Sequence, residues 1–275
     1  MTKPAIRSLE TVDEYQACVE LQEEVWGRNF SEKVPLAILK VSRRLGGVVG
    51  GAFSPQGKLQ GFVFGMTGWE DRRPVHWSDM LAVRPEARGR GLGMRLKAFQ
   101  REEMLAAGVD TVYWTFDPLV ARNGHLNLAR LGAVARSYEP NMYGFTGSDL
   151  HGGLPTDRLV VTWSLAAPRV EARLRGRESP PVAEDVAGLS RVVPVEGGAG
   201  APVPGLPRTG LDDPELLIPI PLDFNALLQE PDGARRWREA TRQAFTDLLS
   251  RGYEVRELVR RGTVADYLLV RKERA

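Results

Sequence analysis

The chain has one cysteine, Cys18, among 275 residues. No internal disulfide framework can form, and metal clusters of the Cys-x-x-Cys kind are excluded. No stretch approaches the roughly 18 consecutive apolar residues that a membrane-spanning helix needs. Met1 to Arg7 carries positive charge with no apolar run behind it, so no secretion signal is read there. Charge of one sign is also scarce. A formal net charge of +2 is too small to imply nucleic acid or a membrane surface as partner. These absences point to a cytoplasmic globular protein, as do 43% apolar and 26% charged residues. No solenoid-type or propeller-type repeat is present.

What is there is an alternation of strand and helix signals. Ile6 to Leu9 reads as a strand, and Thr11 with Glu14 forms a capping box for a helix ending at Gly27. That helix is expected to bury Val12, Tyr15, Val19 and Trp26, joined by Cys18 and Val25. Gly47 to Phe53 and Leu59 to Thr67 read as an antiparallel hairpin turning through Ser54-Pro55-Gln56-Gly57. His76 to Val83 is the next strand. Strict alternation puts Trp77, Asp79, Leu81 and Val83 on one side and His76, Ser78, Met80 and Ala82 on the other. A helix over Met94 to Ala107, a buried strand over Thr111 to Phe116, and helical residues from Pro118 to Leu131 follow. Ala133 to Tyr138 and Leu159 to Leu165 close the set.

From about Pro168 the texture changes. Residues 176 to 210 are rich in Gly and Pro without a steady period and read as a long connection. Beyond it, Leu216 to Leu222, a helix over Ala234 to Ser250 capped by Asp232, and a hairpin of Tyr253 to Val259 with Tyr267 to Arg271 form a βαββ piece. The expected organisation is a domain over 1–168, a linker over 169–213 and a small α/β unit over 214–275.

Arg88-Gly89-Arg90-Gly91-Leu92-Gly93 lies between strand and helix, where backbone amides and a helix N-terminus can hold an anion such as phosphate. A nucleotide-triphosphate loop needs Gly-Lys-Ser/Thr, but Met94-Arg95 follows Gly93. A dinucleotide fingerprint needs a third glycine where Met94 stands, and the hairpin upstream does not suit a βαβ opening. Arg88-x-x-Gly91-x-Gly93 after Leu81-Ala82-Val83-Arg84-Pro85-Glu86 resembles the pyrophosphate loop of the GNAT acyltransferases. The order of strands and helices over residues 1 to 168 is similar to that family too.

The resemblance implies an α/β fold, a mixed and largely antiparallel sheet flanked by helices. It implies acetyl-CoA or another acyl-CoA as co-substrate, with no metal. The pantetheine arm would lie along Leu81, Ala82 and Val83, and the pyrophosphate on Arg88, Gly89, Arg90, Gly91, Leu92, Gly93 and Met94, with Asn123 also toward the coenzyme. An amine would attack the thioester directly, and an amide near Leu81 or Ala82 would stabilise the oxyanion. Cys18, in the first helix, reads as a small core residue rather than a nucleophile.

Deprotonating an ammonium needs a base. Asp79, four residues before Val83, leads; pairing with an arginine at a sheet end is its alternative role. His76 and Glu70 follow, and His125 reads as packing. The family's tyrosine acid, counted four back from Gly132, falls on Leu128, which cannot donate a proton. Asn123, Asn127 and Tyr143 are the other donors in reach, unless the thiolate leaves unaided.

Tyr138 to Gly144, including Asn141, reads as a loop beside the acceptor site. The run Asn123 to Gly132 with this loop is similar to a GNAT subfamily with an extra C-terminal part, some of whose members acylate amino acids, succinylation included. Arg235, Arg238 and Arg242 share a helix face, read as solvated or as a clamp for an acceptor carboxylate. Ile218-Pro219-Ile220-Pro221 reads as an edge strand that covers the acceptor cleft or joins a homodimer. The expected activity is transfer of an acetyl or related, for instance succinyl, group to a small-molecule amine such as an amino acid. A silent acyl-CoA-binding sensor is the alternative.

Overall fold

The computed structural model describes residues 3–147, 152–196 and 201–272. By backbone contacts the chain divides into two compact units. The first takes in 1–114, 146–149 and 164–167, and the second 115–145, 150–163 and 168–275. The composition shifts near residue 168, whereas the boundary between compact units falls inside a strand, after Trp114.

The first unit contains β1 (Ala5–Ser8), α1 (Val12–Trp26), α2 (Leu36–Arg44), β2 (Val48–Phe53), β3 (Leu59–Glu70), β4 (Arg73–Val83), α3 (Leu92–Ala106) and the start of β5 (Thr111–Phe116). These strands lie in the order β1-β2-β3-β4-β5, antiparallel except for β4 beside β5. The Thr11 capping box forms: the Glu14 amide donates to Thr11 Oγ1 at 3.2 Å, and the Glu14 carboxylate accepts from the Thr11 amide at 3.3 Å. Tyr15, Cys18 and Leu21 of α1 pack with Phe62 and Phe64 of β3. Val12, expected on that buried face, is 58% exposed, because the first helical residue precedes the turn that meets the sheet. The helix α2 had no clear sequence signal. It buries only Leu39 and Ser42, while Ile38 and Val41 stay exposed, so its apolar residues mark no single face.

Strict alternation along β4 does not hold. Phe64 pairs with Met80 and Gly65 with Ser78, which leaves Asp79 as the extra residue of a β-bulge. A bulge reverses which face successive residues occupy. Ser78 therefore reaches α3, while Met80 and Ala82 join the core cluster of α1 and β3. Val83 turns to the α3 side, since an added Cβ on Gly61 would meet both Val83 and Leu96. The sequence expectation that His76, Ser78, Met80 and Ala82 share a side is thus corrected by one inserted residue.

The second unit contains the end of β5, α4 (Ala121–Gly124) continuing as a π-helix over His125–Arg130, β6 (Val134–Glu139), β7 (Arg158–Ser164), α5 (Pro168–Leu174), a two-residue pair β8 (Val195–Glu196) and β9 (Val203–Pro204), β10 (Glu215–Pro221), α6 (Phe224–Leu227), α7 (Pro231–Ser250), β11 (Tyr253–Arg261) and β12 (Val264–Arg271). Its sheet runs β7-β6-β11-β12-β10, all neighbours antiparallel. The expected βαββ order is present as β10-α7-β11-β12. β11 pairs with β6 at Val255↔Ala135, so the C-terminal strands extend the sheet of the closing strands. β10 ends this order, which lets Pro219 and Pro221 sit in a strand without breaking an interior ladder.

Asp232 does not cap α7. The helix starts at Pro231, whose missing N–H costs nothing in a first turn. The segment read as a connection is packed: Val186, Val192 and Val193 are buried, and Val186 packs with Leu217 and Val259. Arg173 pairs with Glu257 at 2.6 Å and Arg191 with Asp266 at 2.8 Å. Among the described residues this segment meets β10 and β11 through Val186 and β12 through Arg191.

Candidate active site

β4 and β5 pair at His76↔Val112 and Trp77↔Tyr113 only. Among the described residues, β4 from Ser78 to Val83 keeps β3 on one side and pairs with no strand on the other. An extended backbone with an open edge can hydrogen-bond an extended amide-bearing ligand as a sheet neighbour would. Arg84-Pro85-Glu86-Ala87 turns the chain at the end of β4. Gly89 and Gly91 then take φ of +76° and +70°, a left-handed conformation that L side chains rarely adopt. Gly91 is the N-cap of α3, so no side chain from that position covers the helix's first amides, and no acidic residue sits in the first turn. Arg88 to Gly91 are exposed, while Leu92 is buried and fixes the helix start. The Arg88 guanidinium donates to the Val83 carbonyl at 3.0 Å, tying the loop back to the strand. The arrangement presents amides and a helix dipole to an anion directly after an unpaired strand edge.

Asp79 stands at the bulge with its side chain exposed. Desolvation raises its carboxyl pKa above the usual carboxylate range; the Trp77 indole opposes this by hydrogen-bonding to it, and nearby Glu32 adds to it. Among the described residues no arginine contributes, so the sheet-end ion pair weighed from the sequence is not seen there. His76 is fully buried on the α3 face, with its pKa lowered to about 3 by desolvation and then by Lys97, which makes it a structural group rather than a base. Glu70 is exposed at the end of β3 and accepts from the Tyr113 hydroxyl at 2.7 Å. Cys18 is fully buried, and burial pushes its thiol up to about 12, in keeping with its core reading.

The remaining sequence candidates lie in the second unit. Asn123 is half-buried in α4, and His125 opens the π-helix with its pKa lowered by desolvation. Tyr143 shares a 3.0 Å hydrogen bond with Thr115 Oγ1 and has the Arg158 guanidinium 5.4 Å from its ring centre. The loop before it is organised internally. Asn141 takes a φ of +48°, its amide donates to Asp157 Oδ1 at 2.9 Å, and its Oδ1 accepts from the Thr156 amide at 3.2 Å. The helix-face arginines divide. Arg235 is exposed, Arg238 grips Asp117 with two hydrogen bonds of 2.9 and 2.6 Å, and Arg242 grips Asp157 with two of 2.8 and 2.7 Å. Neither the solvated face nor an acceptor clamp describes Arg238 and Arg242, because the chain supplies their carboxylates itself.

Residues 13–132 match the family model described as the acetyltransferase (GNAT) family. This stretch is a GNAT acetyltransferase domain. Among curated proteins no significant sequence match is found. Solved structures that resemble the chain include an acetyltransferase from Salmonella typhimurium with acetyl-CoA, 20% identical, covering 61% of this chain and 98% of that one at a TM-score of 0.47. A GNAT-family acetyltransferase from Streptococcus pneumoniae is 17% identical, covering 57% and 97% at 0.46. A phosphinothricin acetyltransferase from Sinorhizobium meliloti in complex with acetyl-CoA is 16% identical, covering 58% and 88% at 0.46.

Within the GNAT domain, the position counted for a proton-donating tyrosine is Leu128, fully buried in the π-helix. The wider turn carries Leu128 into the core and places Asn127 beside it, also buried. Several polar residues of the domain had no sequence signal: Trp77 and Glu32 near Asp79, and Lys97, Ser78 and Gln100 behind β4. Lys97 sits at a position that helical spacing alone assigns to solvent or core without distinction. Among the described residues no helix is long and apolar enough to cross a membrane, and no group of three His, Cys, Asp or Glu is placed to hold a metal.

Proposed function

We propose that this protein transfers an acyl group, acetyl or a relative such as succinyl, from coenzyme A to the amine of a small molecule such as an amino acid. The observation that carries this reading is the unpaired edge of β4 running straight into a glycine loop and an uncapped helix start, with Asp79 on the same strand. The strand edge from Asp79 to Val83 would hold the pantetheine amides, and the amides of Arg88 to Met94 the pyrophosphate. An amide at the bulge would face the developing oxyanion. Asp79, whose carboxyl pKa is raised by desolvation, would accept the ammonium proton directly or through a water. Asp79 and Glu32 together make the acceptor side acidic, which favours a cationic amine over an anion. Coenzyme A would leave as the thiolate.

A second reading, a silent acyl-CoA sensor, is favoured by one observation: Leu128 is aliphatic and buried where a tyrosine acid would be counted. Free-thiol release from acetyl-CoA and succinyl-CoA, measured against a panel of amines including amino acids, separates the two. Amine-dependent release is expected. Coenzyme binding without amine-dependent release moves the assignment to the sensor, and failure to bind coenzyme A overturns both.

A further inference from the structure

We propose that Lys97 is a positioning residue that pins the fork between β4 and β5 and so sets the strand edge offered to the coenzyme, an inference that rests on the acyl-CoA reading above. The two strands pair for the last time at Trp77↔Tyr113. The next residue on β4 is Ser78 and the next on β5 is Trp114. Lys97, buried on α3, touches both: its Nζ donates to Ser78 Oγ at 2.7 Å and lies 3.8 Å from the centre of the Trp114 ring. Its third contact is Gln100 Oε1 at 3.0 Å. Burial lowers the pKa of this amine well below the usual lysine value, and in either protonation state it keeps N–H donors for Ser78 and Gln100.

The contact does not end at the fork. Gln100 Nε2 lies 3.0 Å from His76 Nε2, and His76 Nδ1 lies 3.0 Å from Thr67 Oγ1, which donates to the Gly46 carbonyl at 2.8 Å. One proton arrangement satisfies every group in this chain. Thr67 gives its proton to Gly46, so it accepts from His76 Nδ1–H, and the bare Nε2 accepts from Gln100. This fits a neutral imidazole, as its lowered pKa indicates. The chain links the fork to β3 and to the turn before β2, so Ser78 is held from several elements.

Nothing about filling space requires an amine at this position. Leu92, Leu96 and Met104 line the same helix, and an apolar side chain at 97 would avoid the cost of burying an amine. What an apolar residue cannot do is hydrogen-bond across two strands beyond their last paired residues. Lys97 supplies that join where the bulge at Asp79 begins, one residue from the group assigned to the acceptor proton.

The test uses the full chain with Lys97→Met, which keeps an unbranched stem and removes the donors. Two readouts are needed: coenzyme A affinity by calorimetry, and backbone hydrogen exchange over residues 78–83 and 111–114. The expected result is at least tenfold weaker binding and faster exchange in both segments, with a thermal midpoint unchanged or raised. Ser78→Ala should act in the same direction and add little to Lys97→Met in a double-mutant cycle. Unchanged affinity and exchange in folded Lys97→Met overturn the pin. If Lys97→Met does not fold, the same outcome in Ser78→Ala overturns it. If the wild-type protein itself does not bind coenzyme A, the acyl-CoA reading falls, and exchange at the two segments alone decides whether Lys97 holds the fork.

Discussion

Buried charge is handled differently in the two units. In the first, Lys97 is met by a hydroxyl, an amide and an indole face, while the ion pairs Lys33–Glu23, Lys58–Glu86 and Arg7–Glu14 lie toward the surface. In the second, Arg173 and Arg238 are buried against Glu257 and Asp117, and the buried carboxylates Asp157 and Asp266 are held by Arg242 and Arg191. The first unit shapes a backbone edge and a loop, and its polar groups orient that shape. The second is cross-linked by ionic pairs between residues far apart in the chain. Such pairs add little over a well-packed apolar replacement, yet losing one partner strands a buried charge.

The contrast makes its largest prediction in the second unit. Arg238→Ala leaves Asp117 with the more distant Arg158 at 3.7 Å, and should cost about 3–5 kcal/mol of stability in urea unfolding. A loss below about 1 kcal/mol would remove the contrast, since exposed pairs give that much. In the first unit Asp79→Asn should instead leave stability nearly intact and lower kcat/KM by about a hundredfold or more. Its raised pKa sets the sign: wild-type kcat/KM should fall as pH drops through that pKa and the carboxylate is protonated. The variant should lack that acid limb, and a retained limb would move the base elsewhere.

Gly91→Val probes the loop as shape. An added Cβ meets no atom within 4 Å, so the φ of +70° is the constraint within the chain itself. Strain of about 1–3 kcal/mol should appear as weaker coenzyme A binding, because the loop relaxes by turning its amides away. Unchanged affinity in calorimetry would remove the loop from the coenzyme site. The smallest effect is assigned to Thr11→Ala, about 1 kcal/mol in thermal or urea unfolding, from loss of the α1 cap and with no effect on coenzyme binding.

Local chemistry was legible without the fold. The Thr11–Glu14 box, the turn at Gly57, the left-handed glycines 89 and 91 and the prolines of β10 each act within a few residues, so their residue types announce them. The order of strands and helices, the GNAT resemblance and the βαββ succession rest on that same short-range information.

Other features depended on groups distant in sequence. Whether Asp79 is a bulge depends on which β3 residue lies opposite it, which no periodicity along β4 reveals. Arg238 and Arg242 looked like one helix face, but their partners lie 121 and 85 residues away, and only folding brings those carboxylates within reach. The Gly/Pro-rich segment looked unanchored because its anchors, Glu257 and Asp266, are on strands that come later. Lys97 is the clearest case: helical spacing places it, but only the parting of two strands at Ser78 and Trp114 gives its ammonium something to hold. A sequence specifies conformations it can satisfy locally, whereas the partner of a buried polar group is chosen by whatever the whole chain brings to it.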